Sequence, residues 1–478
     1  MDFLEACRQI IGIDSSPSAG TMAVARFAAD LARSLGLQAE LQIESWNGLE
    51  QANVIVRPSC DPQGVGDVDA GASRIDFVPD QEFMLETHLD TPDPGAYALW
   101  RETGANPFNA SIYRSPEGDR LYGLGSADVK LDFLCKLYAL READQERRQS
   151  GQAWNVPPVL VGTFGEELGM PGAVKLIRKK KVKPTAVLVG EPTDSKLVVA
   201  GKGFASVEIE IPFSPEERRF RDEHNLSESS SSQSRLFRGR AAHSSSPQLG
   251  ESAIEKMFDA LERMPSGVAV MEIEGGINFN TVASQAVLEI DLVAGMTTEA
   301  LKDLMAQKLL RIRTVIKQVE AQFKRFPDSG FVPQEPTLNV GMIRTLEEHV
   351  KILGCVRLPP TVSQADYEGW MQMLREACAA EGAVFRIGDY KPPFRTAESS
   401  AIIENCRRIL SEMQIDATLS TQAVANEANV FAKFGIDCAV WGPGQGVGNS
   451  HTPNEYVRIQ ELDRATGFYR LVIKQMCL

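Results

Sequence analysis

Three short, largely apolar runs constrain this chain most: FMLET (83–87), PPVLVGTF (157–164) and TAVLVG (185–190). Helical patterns alternate with them in TMAVARFAADLARSLGL (21–37), LDFLCKLYALREADQERRQ (131–149) and PGAVKLIRKKK (171–181). Near-continuous apolar strands that alternate with helices predict an α/β domain, with a mostly parallel sheet covered on both faces. In such sheets, functional side chains gather beyond the carboxyl ends of the strands.

The texture changes at about Lys202. Long amphipathic strands such as FASVEIEI (204–211) and AVLEIDLV (286–293) now alternate with helices such as ESAIEKMFDALERM (251–264). A charged, Ser-rich stretch, EERRFRDEHNLSESSSSQS (216–234), reads as a surface loop. After DYKPPF (389–394) the α/β texture returns, with ESSAIIENCRRILSEM (398–413), CAVWG (438–442) and a closing helix from about Gln460. A chain of 478 residues exceeds one ordinary core. The expected organisation is one α/β domain in two parts, 1–201 and 391–478, interrupted by an α+β lid domain over 202–390. Within that insertion, 269–310 and 336–378 share a strand, strand, helix pattern, which predicts an enlarged and partly repeated sheet.

A formal net charge of −14 argues against a nucleic acid or an anionic membrane as partner. The single basic run, IRKKK (177–181), closes a predicted helix, where cations complement the dipole. No apolar h-region opens the chain and no stretch approaches a membrane span. The eight cysteines are scattered without a C-x-x-C pair and read as buried thiols. These features predict a cytoplasmic protein.

Only five histidines are present, and one closes an apolar run in FMLETHLDTPDP (83–94). Residues two apart in a strand share a face, so Asp90 is placed to steer the His88 ring and leave one nitrogen for a metal. Further candidates stand at expected strand ends or the loops after them: Asp128 in LYGLGSADVK, Glu166 and Glu167 in VGTFGEELG, Glu191 in LVGEPT, and His451 in GPGQGVGNSHTPNEY. Singly, each has an ordinary structural explanation as a helix cap, a first-turn acid or a loop residue. Together they form a nitrogen and oxygen donor set without thiolate, suited to two borderline divalent ions such as zinc.

The ordered motifs HLD, YGLGSADVK, GEELG, GEPT, GRAAHSSSPQLGESA, GGINFN and SHTPNEY span nearly the whole chain. In them the chain resembles the dinuclear-zinc amidohydrolases and peptidases that include acetylornithine deacetylase, succinyl-diaminopimelate desuccinylase, aminoacylase, carboxypeptidase G and several dipeptidases. The resemblance implies two divalent metal ions, zinc first, with cobalt or manganese as alternatives. It implies that His88 and Glu191 bind one ion, Glu167 and His451 the other, and that Asp128 bridges both. Asp90 would orient His88, and Glu166 would be the general base. His243, in the inserted domain, would donate a hydrogen bond to the developing oxyanion, while Asn280 and Arg357 resemble positions that hold a substrate carboxylate. His224 and His349 are expected to be solvated or structural, the latter in a helix-like segment.

The sequence departs from the commoner family pattern at Leu124, Leu131, Gly165 and ANEAN (425–429). The implied reaction is hydrolysis of an N-acyl amino acid, with a dipeptidase or related exopeptidase as the alternative and a non-catalytic binding protein as a third reading. The enlarged lid predicts a monomer, against a homodimer in which His243 acts in the neighbouring chain's site.

Overall fold

A computed structural model describes residues 1–59, 79–116, 118–223, 233–293 and 297–478. These divide into two compact units, one of residues 1–200, 395–420 and 426–478, the other of residues 201–394 and 421–425.

The first unit is built on a nine-stranded sheet. Its main path runs Gln38–Trp46, Leu49–Arg57, Pro158–Thr163, Glu82–His88, Pro184–Gly190, Asp437–Val440, Leu197–Gly201 and Phe394–Arg395, with Leu419–Gln422 beside Leu197–Gly201. The expected parallel character holds at the centre, where Glu82–His88 pairs in parallel with Pro158–Thr163 and Pro184–Gly190, and the latter with Asp437–Val440. On one flank it gives way to an antiparallel hairpin, Gln38–Trp46 with Leu49–Arg57. The central strands are buried along most of their length, as their apolar runs require. Covering helices include Met22–Ser34, Lys130–Ser150, Ala401–Glu412 and Ile459–Cys477, whose buried faces share one core with the sheet. Lys175 and Lys179, around the end of the helix Pro171–Arg178, form ion pairs with Glu44 at 3.2 and 2.5 Å. That basic stretch therefore serves local pairing as well as the helix dipole.

The second unit is a seven-stranded sheet in the order Gln233–Arg238, Gln285–Leu292, Val268–Gly275, Thr337–Thr345, His349–Leu358, Gly203–Pro212 and Val384–Lys391, with antiparallel pairing throughout. Burial in Gly203–Pro212 alternates residue by residue, the signature of a sheet covered on one face. Helices Ala253–Glu262, Met305–Phe323 and Gln364–Ala380 bury their apolar faces in the core that the sheet shares. The two similar halves meet where Val268–Gly275 pairs with Thr337–Thr345.

Two expectations are corrected here. His349 opens a strand rather than lying in a helix, because its neighbours pair with Gly203–Pro212 over ten residues. The charged stretch after Pro212 begins as a helix, Pro215–Glu223, which buries Glu217 and Phe220. The remainder of the Ser-rich stretch, with His224, lies outside the described residues, as does Cys60.

Glu217 accepts a hydrogen bond from the Met305 N–H at 2.8 Å, and burial pushes its carboxyl up to about 7 against the opposing pull of that bond and of Arg221. A raised carboxyl holds its proton longer in the folded state than in the unfolded chain. Stability is therefore lost as pH rises from the unfolded value of 4.5 through about 7, and no such loss exists below 4.5. Glu217→Gln keeps an acceptor for Met305 and removes the charge. Urea unfolding of the two proteins should agree near pH 4.5 and favour the variant by up to about 3 kcal/mol above pH 8.

Candidate metal centre

His88 ends its strand, and the next N–H, from Leu89, continues the ladder to the Thr163 carbonyl at 2.9 Å. The ring is buried, its Nδ1 lies 3.1 Å from the Asp90 carbonyl oxygen, and its Nε2 lies 3.2 Å from Asp128 Oδ1. With Nδ1–H donating to the carbonyl, Nε2 is the ring atom aimed at the Asp128 carboxylate: it donates to Asp128 while the ring is protonated and would offer its lone pair to a metal once that proton leaves. The other oxygen of that carboxylate, Oδ2, lies 3.2 Å from His451 Nε2, which is itself 3.0 Å from Glu167 Oε1. Asp128 thus stands between two imidazoles, one on each oxygen. Donor atoms of His88, Asp128 and Glu167 all lie within 4.8 Å of one another. Imidazole nitrogens and carboxylate oxygens converging at this spacing fit a divalent ion of the zinc class.

Two buried acids hold the loops that carry these groups. Glu455 accepts from the N–H groups of Gly125, Ala127 and Asp128 at 3.3, 2.7 and 2.9 Å, which fixes the approach to Asp128. Asp90 has a different contact from the one its spacing suggests. Its carboxylate is 3.7 Å from His88 Nδ1 and instead accepts from the N–H groups of Glu166 and Glu167, each at 3.1 Å. The strand ends at His88, so Asp90 turns toward the neighbouring loop, and its backbone carbonyl orients the ring. Gly165, one of the departures from the family pattern, has a φ of 75°, a region favoured by glycine, and a Cβ there would meet the Pro171 ring at 2.8 Å. Glu427 of ANEAN is buried, and Thr163 Oγ1 lies 2.7 Å from it and 2.9 Å from Glu86.

The electrostatics follow from crowding acids in a dry place. Burial pushes the Glu166 carboxyl up to about 8, with the charges of Glu167, Asp90 and Asp128 adding to the shift and His88 opposing it. Burial raises Glu191 well above its usual range, with the charges of Glu166, Asp128 and Glu167 adding to the shift and His88 opposing it. Hydrogen bonds to Asp128 and Glu167 outweigh burial and push His451 up to about 11. Burial would raise Asp128, yet hydrogen bonds from His451 and His88 prevail and hold it below the usual carboxylate range. Like charges held this close favour a shared cation.

The remaining sequence candidates cluster within the second unit. Ser244 N–H donates to the Asn280 carbonyl at 2.8 Å, and His243 bridges to Thr281 across the same pair of segments. Arg357 Nη2 lies 3.4 Å from Ser244 Oγ, its guanidinium sits 4.7 Å from the Phe204 ring centre, and its buried Nε has no hydrogen-bond partner. His243 Nδ1 accepts from the Ser245 N–H at 3.2 Å, which leaves the proton of the neutral ring on Nε2.

Fold and site together define a metallohydrolase that acts on amide bonds. The chain belongs to peptidase family M20/M25/M40, whose profile matches residues 84–475. It is 27% identical over 407 residues to an acetylornithine deacetylase from Klebsiella pneumoniae (strain 342), covering 82% of this chain and 80% of that one. Among solved structures it is similar to aminoacylhistidine dipeptidase from Vibrio alginolyticus, with a TM-score of 0.61 at 16% identity over 99% of this chain and 96% of that one. A dinuclear metal-binding peptidase of family M20 from Bacillus subtilis superimposes with a TM-score of 0.50 at 11% identity, over 100% of this chain and 98% of that one.

Glu455 is the residue that motif reading passes over, although SHTPNEY contains it. Its signal was an acid at the end of a Gly- and Asn-rich loop, a place where backbone N–H groups need acceptors. Glu455→Ala leaves three backbone donors without that acceptor and is expected to cost about 3 kcal/mol or more in chemical denaturation. Glu455→Gln, which retains Oε1 for Ala127 and Asp128, should cost clearly less.

Proposed function

We propose that the first unit holds two divalent metal ions, zinc before cobalt or manganese, and hydrolyses the amide bond of an N-acyl amino acid. The observation that carries this reading is Asp128 set between His88 and His451, one oxygen toward each. In this reading His88 and Glu191 would hold one ion, Glu167 and His451 the other, and Asp128 would be shared between them. Bound there, the ions supply Lewis-acid polarisation of the scissile carbonyl and make water more acidic.

The protein's own contribution centres on Glu166. Its N–H is fixed by Asp90, so its position is set by the same residue that orients His88 through a carbonyl. Glu166 takes the proton of the attacking water and passes it to the departing amine nitrogen. His243, with its Nε2 proton, donates to the oxygen on which negative charge develops, and Arg357 with Asn280 holds the substrate carboxylate. Among the described residues seven cysteines are buried and form no disulfide, which suits a reducing cytoplasm.

A dipeptidase is the second reading, favoured by the seven-stranded sheet of the second unit with its two similar halves. The doubled sheet also supports a monomer in which His243 serves its own chain. A panel of acetylated and succinylated amino acids and dipeptides, assayed with each metal, separates the two substrates. A metal-dependent turnover confined to dipeptides would overturn the deacylase reading.

Metal analysis tests the ligand roles. Asp128→Ala should lose both ions and Glu167→Ala mainly one, whereas Glu166→Ala should keep both and lose about 10²–10⁴-fold in turnover. An Asp128→Ala protein that still holds two ions would refute the bridging role.

The chain-by-chain origin of His243 has its own test. Inactive His243→Ala and inactive Glu166→Ala proteins are mixed under conditions that allow subunit exchange. The monomer predicts no recovery of activity, and recovery would establish a dimer that acts in trans.

A further inference from the structure

One fully buried ion pair has no place in the chemistry above. Asp132 and Lys136 lie one turn apart on the helix Lys130–Ser150, which starts two residues after Asp128, and their charged groups meet at 2.7 Å with both side chains entirely buried. Replacing such a pair by apolar side chains is often neutral or stabilising, so fold stability alone does not account for it. What the pair adds is direction, because its other side-chain hydrogen bonds go to the strand that ends in His88 and the remaining one goes to Tyr469 of the helix Ile459–Cys477.

Lys136 Nζ donates to the Glu86 carbonyl at 2.6 Å and to Thr87 Oγ1 at 2.9 Å, immediately before His88. Thr87 Oγ1 also lies 2.7 Å from Asp132 Oδ2. Gly190, the residue before Glu191, packs on the pair so closely that a Cβ would come within 2.5 Å of Lys136 Nζ and 2.7 Å of Thr87 Oγ1. Tyr469 OH contacts Asp132 and lies 3.0 Å from the Trp441 carbonyl. Gly442 follows, and a Cβ on it would meet the Glu191 carbonyl at 2.5 Å. From the helix that follows Asp128, one ion pair therefore touches the ends of two neighbouring strands directly and reaches a third through Tyr469.

We infer that Asp132 and Lys136, with Thr87 and Tyr469, are positioning residues that hold His88 and Glu191 in register with Asp128. The inference rests on the metal reading given above. The ion pair contributes no ligand and no proton. It fixes strand ends that would otherwise shift independently, and ligand spacing follows strand-end spacing.

The test is cobalt binding by metal-depleted protein, followed by the visible absorption of the bound ion, alongside kcat and KM. The double variant Asp132→Asn/Lys136→Met keeps shape and removes both charges. It should unfold at close to the wild-type temperature, bind cobalt about 10-fold or more weakly, show an altered cobalt band, and lose kcat with KM little changed. Wild-type cobalt affinity and band in the folded variant would overturn the inference while leaving the metal reading intact. Wild-type protein that binds no cobalt would overturn both. If the double variant does not fold, Thr87→Val and Tyr469→Phe take its place. Weaker cobalt binding in either supports the positioning role, and unchanged binding in both rejects it.

Discussion

The arrangement depends first on the Asp128 carboxylate, buried between two imidazoles that approach from different parts of the chain. His88 comes from the end of a central strand, and His451 from a loop more than three hundred residues later. A carboxylate in this position needs its own backbone fixed, and Glu455 does so through three N–H groups. That acid in turn is buried and pushed up to about 8, chiefly by desolvation and then by Asp128 itself. The site is thus a set of acids whose mutual repulsion is opposed by directed hydrogen bonds and, in the proposed holo state, by cations.

Such a set can persist only on a rigid base. The central parallel strands supply it, since their apolar side chains are buried on both faces and leave little freedom at the carboxyl ends. Asp90 shows how a single residue can couple two functions. Its carbonyl receives the His88 ring and its carboxylate receives the Glu166 and Glu167 N–H groups, so a candidate ligand and the candidate base are aligned together. The glycine at 165 has a local reason as well, because the turn into that pair needs a positive φ.

The second unit follows a different logic. Its strand Gly203–Pro212 alternates buried and half-buried residues, and its helices collect on a shared apolar core. Pairing of the two halves through Val268–Gly275 and Thr337–Thr345 makes one continuous sheet from two similar pieces. His243, Asn280 and Arg357 come together within it because Ser244 contacts the segments of both Asn280 and Arg357. An Arg this deeply buried, with its Nε unpaired, is suited to an anionic partner.

Much of this was present in the sequence. The runs at 83–87, 157–164 and 185–190 are strands, the helical periods between them are helices, and the motif residues His88, Asp128, Glu167 and His451 converge. These signals are local: burial sets a strand's composition, and chemistry sets a ligand's type. The hairpin at 38–57, the strand that His349 opens and the helix at 215–223 were not legible, because pairing partners and a buried Glu decide them. The contacts of Asp90 and Glu455 were equally hidden. A carboxylate accepts from whichever N–H groups the fold brings within 3 Å or so, and only the assembled loops determine which those are.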